Sequence, residues 1–376
     1  MKTKILFILD DMQPDDGERA LAGLINRLSG ESYDLYLACD KGSEFSRSVR
    51  DDVEKIDVDF SKKISPALIM KLAGIIRKNR IQIVHTCGAR ADLHGRLARM
   101  ISRGVRYVST IALPAEETDG DNPGKRSSGF FARFSGLFVD RFIATSDMTA
   151  KRMAETGGIR PERIVTIHNG VEAGRFRPDP VARARIRSEF NLSDDTVLIG
   201  AAGRLVWQKG FEFLIKSMPI FIRSHPNVKV LIAGDGPFRN TLMMHSGMIA
   251  MDSHLILAGF RHDMKDILSA LDILVIPSLM DEFPMIALEG MAMARPIVAT
   301  RVEGITEQIT DNETGVLVLS WNANALGKAI SRLLDNRDMA AGLGQRAREK
   351  VEKDFSEEKM VSETESLYRS LFPGHD

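Results

Sequence analysis

Three short segments of this 376-residue chain carry residue types suited to holding an anionic or hydroxyl-rich ligand. The first is Gly203-Arg204-Leu205-Val206-Trp207-Gln208-Lys209-Gly210. Arg204 offers a planar donor fork and Lys209 a point charge, a combination that suits a diphosphate. Gly203 and Gly210 permit tight turns and close backbone approach. A solvated loop with two surface cations would have the same composition. The second segment is Ala233-Gly234-Asp235-Gly236-Pro237. It lacks the third glycine of a dinucleotide fingerprint, so Gly234 and Gly236 by themselves signal only a turn after a strand. The third runs from Pro277 through Ser278, Asp281, Glu282, Phe283, Pro284, Met285 and Ile286 to Glu289. A helix beginning near Pro284 would leave the amides of Phe283, Met285 and Ile286 pointing into the loop, an anion site that needs no metal. Glu289 falls roughly 7 Å further along that helix. Asp281 and Glu289 would then bracket one elongated ligand. The competing role for Asp281 or Glu282 is a helix cap, with Glu289 a surface acid. Its neighbours Ala287, Leu288, Met291 and Ala292 argue against a surface position.

Each segment follows a short apolar run, and the runs define the scaffold. Strands are expected at residues 5–9, 34–38, 83–86, 107–111, 142–145 and 164–167. A second set is expected at 197–202, 229–233, 255–258, 273–276, 296–299 and 315–318. Helical patterns lie between them, at 18–28, 66–78, 91–101, 149–155 and 211–225. Continuous apolar strands alternating with helices indicate parallel sheets covered on both faces. The pattern runs twice around a polar break at 174–193 that contains Pro178 and Pro180. This fits two doubly wound α/β domains rather than one barrel. The length agrees, at roughly 150 residues per domain. The last charged stretch, 351–371, reads as a helix. Ligands in such sheets bind at the carboxyl ends of the strands, so the chemistry belongs in strand-to-helix loops.

The composition closes several other routes. Lys plus Arg and Asp plus Glu are both 51, a balance that disfavours a general nucleic-acid binder. Cys39 and Cys87 cannot build a disulfide framework and suit a reducing compartment. No apolar run approaches the roughly 20 residues of a membrane span. The run 5–9 is too short for a leader and is followed by Asp10 and Asp11, so it reads as a first buried strand. Asp121–Arg126 lacks P-loop spacing, the eight histidines show no zinc spacing, and no G-x-S-x-G elbow appears.

In series, these segments resemble the retaining glycosyltransferases of family 4, the group 1 glycosyltransferases. Asp16-Gly17-Glu18-Arg19-Ala20-Leu21 looks like the family's glycine-rich loop, usually written G-G-x-E, with Asp16 in place of its first glycine. His168-Asn169-Gly170-Val171-Glu172 followed by Arg175-Phe176 is similar to the stretch that ends the first domain. The Arg204/Lys209 loop, Gly234–Pro237, Gly259-Phe260-Arg261 and Asp281–Glu289 follow in the family's order. The resemblance implies a GT-B fold, two Rossmann-like domains facing across a cleft. The domains would span 1–172 and 173–354, with a final helix, 355–376, packing back on the first. It also implies metal-independent, retaining transfer of a sugar from a UDP- or GDP-linked donor, with no cofactor. Arg204 and Lys209 would stabilise the leaving diphosphate. Gly17, Gly203, Gly234, Gly236, Phe260, Arg261, Asp281, Glu282, Phe283, Pro284, Met285, Ile286 and Glu289 would surround the donor, Glu289 on the ribose hydroxyls. Three further positions depart from the pattern. The family's two Glu residues separated by seven others are here Asp281 and Glu289, so an Asp, one methylene shorter, stands at the first. Glu282 stands at a usual glycine, and Ala112 stands where many relatives carry a sugar-contacting histidine. His85 is the candidate to replace it.

Between Lys62 and Arg106 eleven lysines and arginines stand against one acid, Asp92. Between Lys125 and Phe142 lie Phe130, Phe131, Phe134, Phe138 and Phe142 with Arg126, Arg133 and Arg141. A basic face beside aromatic residues fits an anionic membrane, and the resemblance implies a glycan or lipid-linked acceptor in cell-envelope polysaccharide assembly. The expected location is cytoplasmic, peripheral on the inner face of the plasma membrane. Packing of the Phe stripe on its own sheet is the competing reading. Two other functions fit the same residues: a catalytically weak nucleotide-sugar- or glycan-binding protein, and a nucleotide-sugar epimerase or hydrolase.

Overall fold

The computed structural model describes residues 2–10, 16–102, 104–110 and 138–372. Ala112, Phe130, Phe131 and Phe134 lie outside the described residues. The chain forms two compact units, Met1–Gly170 with Glu357–Asp376, and Val171–Ser356. Both are Rossmann-like, as the alternation of strands and helices predicts.

The first unit holds β1 (Thr3–Leu9), β2 (Tyr33–Cys39), β3 (Glu54–Asp57), β4 (Ile83–Cys87), β5 (Arg106–Thr110), β6 (Arg141–Ala144) and β7 (Ile164–Thr166). They pair in parallel in the order β3-β2-β1-β4-β5-β6-β7. The second holds β8 (Val197–Ala202), β9 (Val228–Ala233), β10 (Leu255–Gly259), β11 (Ile273–Ile276), β12 (Ile297–Thr300) and β13 (Val316–Val318). Their order is β10-β9-β8-β11-β12-β13, again parallel. The apolar runs bury as expected: Ile5 to Ile8 and Val230 to Ile232 are fully covered. β3 was not expected. Its sequence Glu-Lys-Ile-Asp has one apolar residue, which suffices at a sheet edge where one side needs no core. In each sheet the strand order reverses direction once, beside β1 and β4 in the first and beside β8 and β11 in the second. In such sheets the flanking crossovers lie on opposite faces, which makes the carboxyl ends at the reversal the expected place for a ligand.

The expected final helix, 351–371, is two helices. Arg337–Asp354 stops at Phe355, whose φ of −131° and ψ of 34° leave the helical region, and Glu357–Ser370 follows. The second of these belongs to the first unit. Glu357 pairs with Arg27, and Gly170 N–H reaches the Met360 sulfur at 3.3 Å. Tyr368, fully buried, hydrogen-bonds the His85 ring through its hydroxyl at 2.6 Å.

That contact decides the place of His85. Its ring lies in β4, its second nitrogen is 2.7 Å from the Thr110 hydroxyl, and the residue is buried. Both nitrogens are committed, so the structure gives His85 a core role and not the sugar contact proposed for it. Burial lowers its pKa from 6.5 to about 3. The folded state therefore favours the neutral ring. The stability this contributes is fully present above the unfolded pKa and is lost as pH falls from 6.5 toward 3. The loss reaches about 1.4 kcal/mol for each pH unit in that window. Urea unfolding at successively lower pH should show it, and His85→Gln should flatten the dependence between pH 6.5 and 4. An unchanged slope in the variant would place the acid sensitivity elsewhere.

Candidate active site

The two strands at the second unit's reversal, β8 and β11, each release one of the segments singled out by sequence. The loop after β8 lies against the loop after β11. The Gln208 carbonyl accepts the N–H groups of Leu279 at 2.7 Å and Met280 at 3.3 Å. One residue on, Lys209 Nζ meets Asp281 Oδ2 at 2.8 Å, and the Ser278 hydroxyl donates to the same oxygen at 2.8 Å. The pair is well covered, with side-chain exposures of 22% for Lys209 and 9% for Asp281. Gly210 then turns the chain into the helix Phe211–Ile222 with φ of 63°. A side chain there would meet the Pro277 carbonyl oxygen at 2.1 Å, so only glycine lets the two loops touch.

The loop after β9 joins the same assembly through backbone alone. Gly203 N–H donates to Ala233, Leu205 N–H to Asp235 and Phe238 N–H to Leu205, at 2.9–3.0 Å. Gly234 N–H reaches Gly259 at the end of β10 at 2.7 Å. Gly203, Gly234 and Gly236 are thus placed beside the exposed Arg204. The weak half-fingerprint has a geometric purpose, which is to let these loops interlace.

Beyond Asp281 the chain enters the helix Met285–Ala292, with Pro284 as the cap residue and no side-chain cap bond. Pro284, not Asp281 or Glu282, holds the cap position, and the Asp281 carboxylate is engaged by Lys209 and Ser278 instead. The first N–H groups of a helix have no partner within it, and the positive end of the helix faces the loop. Every residue of this helix is buried. Glu289 is its one charged side chain, 3% exposed, and is no surface acid. The loop is anchored from below as well. Thr300 donates to the Ser278 carbonyl, Gly304 N–H to the Asp281 carbonyl at 3.2 Å, and Gln308 to the Pro284 carbonyl at 3.1 Å.

Not every expected residue joins. The ring of Phe283 is buried against Phe355, centroids 5.6 Å apart, so it is a packing group. Arg261 is withdrawn into an ion-pair cluster with Glu189 and Asp263, with its guanidinium over Phe190. Those partners raise its pKa and hold it away from a ligand role. Phe260 does keep an open ring, 57% exposed, with His262 at its edge. Gly17 belongs to the other unit, in the first turn of the helix Asp16–Arg27. His85 is in that unit's core. Sequence reasoning missed Ser278 and Gln308 as partners of the loop. Ser278 stood inside the quoted segment but nothing marked its hydroxyl. Gln308 lies 24 residues from Pro284 and gave no signal.

The interlock predicts that Gly210→Ala costs about 1–2 kcal/mol from the left-handed backbone alone, before the collision with Pro277 is counted. Thermal unfolding should show a clear drop, whereas an unchanged melting point would mean that the loops part easily.

Comparison with known proteins is consistent with this arrangement. Residues 17–175 match the model of Glycosyltransferase Family 4, and residues 182–350 that of Glycosyl transferases group 1. The capsular polysaccharide biosynthesis glycosyltransferase CapM of Staphylococcus aureus is 22% identical over 365 residues, 93% of each chain. The UDP-Gal:alpha-D-GlcNAc-diphosphoundecaprenol alpha-1,3-galactosyltransferase of Escherichia coli is 23% identical over 91% of this chain and 90% of that one. A shorter match, 28% identical to an uncharacterized glycosyltransferase of Methanocaldococcus jannaschii, spans 55% of this chain and 54% of that protein. Among solved structures, Anabaena HepE in complex with UDP-glucose superposes with a TM-score of 0.84 at 18% identity, covering 98% of this chain and 99% of that one. That likeness establishes the fold, GT-B.

Proposed function

Because this chain belongs to the group 1 glycosyltransferases of family 4, we propose that it transfers a sugar from a nucleotide-diphosphate donor to a glycan or lipid-linked acceptor in cell-envelope polysaccharide assembly. The observation that carries this is the Lys209–Asp281–Ser278 cluster, set on interlocked loops at the carboxyl ends of β8 and β11. Arg204 and Lys209 supply the positive charge that the departing diphosphate requires, and the first amides of Met285–Ala292 supply fixed donors. Preorganised donors of this kind need no reorganisation as charge develops. In this reading Arg204, the Lys209 ammonium shared with Asp281 and the helix amides together ease the leaving charge, no metal is used, and transfer proceeds with retention at the sugar carbon. Glu289, buried one turn into the same helix, accepts the ribose hydroxyls. Phe260 offers its exposed ring to the base. The donor class is supported by HepE, solved with UDP-glucose, and the acceptor class by the relative named for a diphosphoundecaprenol substrate.

Calorimetry with UDP, GDP and ADP tests the donor half. One of them should bind, and Lys209→Ala should weaken it about 10- to 100-fold, the worth of one charge-assisted hydrogen bond. No binding by the wild-type protein would remove the reading. Nucleotide release without a glycosylated product would turn it toward a hydrolase.

The acceptor half includes an anionic membrane surface. Among the described residues no helix is long and apolar enough to cross a membrane. The basic stretch divides in two. Arg96 pairs with Asp92, Arg90 donates to the Phe60 carbonyl and Arg99 pairs with Asp140, so these serve the fold. Lys62, Lys63, Lys71, Arg77, Lys78 and Arg80 are exposed on and around the helix Pro66–Asn79, with Lys71 also donating to the Asp57 carbonyl at 2.6 Å and Arg77 to the Ile101 carbonyl at 2.9 Å. Ile64, Met70, Met100, Ile101 and Phe138 are exposed as well. Phe142, by contrast, is buried in β6 under Arg96, which fits the packing alternative for that residue. Cationic side chains mixed with apolar ones suit an anionic lipid interface. Co-sedimentation should be strong with phosphatidylglycerol vesicles at low salt, weak at high salt, and weak with phosphatidylcholine. Equal recovery in all three would exclude the electrostatic contribution.

A further inference from the structure

Gln308 ends the helix Glu303–Gln308 and is fully buried, 0% exposed. Its Nε2 donates to the Pro284 carbonyl at 3.1 Å. A carbonyl only accepts, so this bond fixes which end of the amide faces Pro284. The other end, Oε1, is buried with no hydrogen-bond partner among the described residues. A half-satisfied amide in the interior is costly, and an apolar side chain of similar size would fill the space without that cost. The residue is explained by what its one bond does.

Pro284 is the cap residue of Met285–Ala292 and makes no side-chain cap bond. In a trans peptide the C=O and N–H point in opposite directions, and the described residues contain no cis peptide. The Pro284 carbonyl also accepts the Ala287 N–H at 3.1 Å, the first bond of the helix, so Gln308 is a second hold on that peptide plane, with the Met285 N–H directed to the side away from the helix Glu303–Gln308. The same short helix also holds Asp281, through Gly304 N–H to the Asp281 carbonyl. A side chain at Gly304 would lie 1.6 Å from the Glu282 carbonyl oxygen, so the helix abuts the loop directly.

We propose that Gln308 is a positioning residue that presets the Met285 amide for the diphosphate of the nucleotide-sugar donor. The proposal rests on the function argued above and names a residue outside the motif segments. Gln308→Met keeps the volume and removes the donor. It should raise the Kd of the nucleoside diphosphate that the wild-type protein binds about tenfold, as much as one well-aligned hydrogen bond provides. The melting point should change little. Gln308→Glu adds a second readout. A carboxyl donates to the Pro284 carbonyl only when protonated, so affinity relative to wild type should be poor at pH 8 and recover at pH 5.5.

A purely structural role predicts the reverse: a lowered melting point in Gln308→Met with nucleotide affinity unchanged below it. That result would overturn the proposal. If Gln308→Met does not fold, the pH profile of Gln308→Glu decides, and equal affinity loss at both pH values would count against it. Wild-type protein that binds no nucleoside diphosphate would refute the functional reading and this proposal together. Wild-type binding with unaffected variants would refute this proposal alone.

Discussion

A covered ion pair between Lys209 and Asp281 joins the two loops on which the candidate site depends. Burying such a pair is poor value as stability alone, because removing both charges from water offsets most of their attraction. Its effect here is register. With Lys209 held on Asp281, and Leu279 and Met280 held on the Gln208 carbonyl, the loop after β8 takes one position relative to the loop after β11. Ser278 shares the same carboxylate oxygen and reduces its freedom further. A phosphate entering this region would offer the ammonium a second anionic partner on a frame already built. That is the preorganisation on which electrostatic stabilisation of a leaving group relies.

The same principle, backbone fixed by a few buried polar contacts, recurs away from the loops. In the first unit Asp10, at the end of β1, accepts the N–H groups of Arg90 and Ala91 and so caps the helix Ala89–Ile101. Burial raises its pKa, and those amides oppose the shift. Asp92, Thr86, Ser109 and Arg96 form a second buried polar group in that unit. The C-terminal helix Glu357–Ser370 docks through the Tyr368–His85 bond and the Arg27–Glu357 pair. In the second unit Phe355, at the break between the last two helices, packs on Phe283 from the loop that carries Asp281.

Much of this was legible in the sequence, and the limits have physical causes. Long apolar strands such as 197–202 announce themselves because a strand buried on both faces has no polar positions. β3 does not, because an edge strand tolerates Glu54, Lys55 and Asp57. The three ligand segments were legible because glycine, cation and acid sit close together in sequence. Their interlock was not, since Lys209 and Asp281 are 72 residues apart. Phe283 and Arg261 show the opposite failure. Each lies in the right loop, but side-chain direction is set by partners distant in sequence, Phe355 and Glu189. His85 read as a free catalytic group because its partner Tyr368 lies 283 residues away.

The central claim is that the loops after β8 and β11, with the first turn of Met285–Ala292, form a preset diphosphate site. Hydrogen exchange with and without a saturating nucleoside diphosphate measures this most directly. The account predicts new protection at residues 203–210 and 281–289 and little change at the strands beneath, which are buried and hydrogen-bonded on both sides. Protection confined to the first unit, or spread evenly over the chain with none at 281–289, would contradict it.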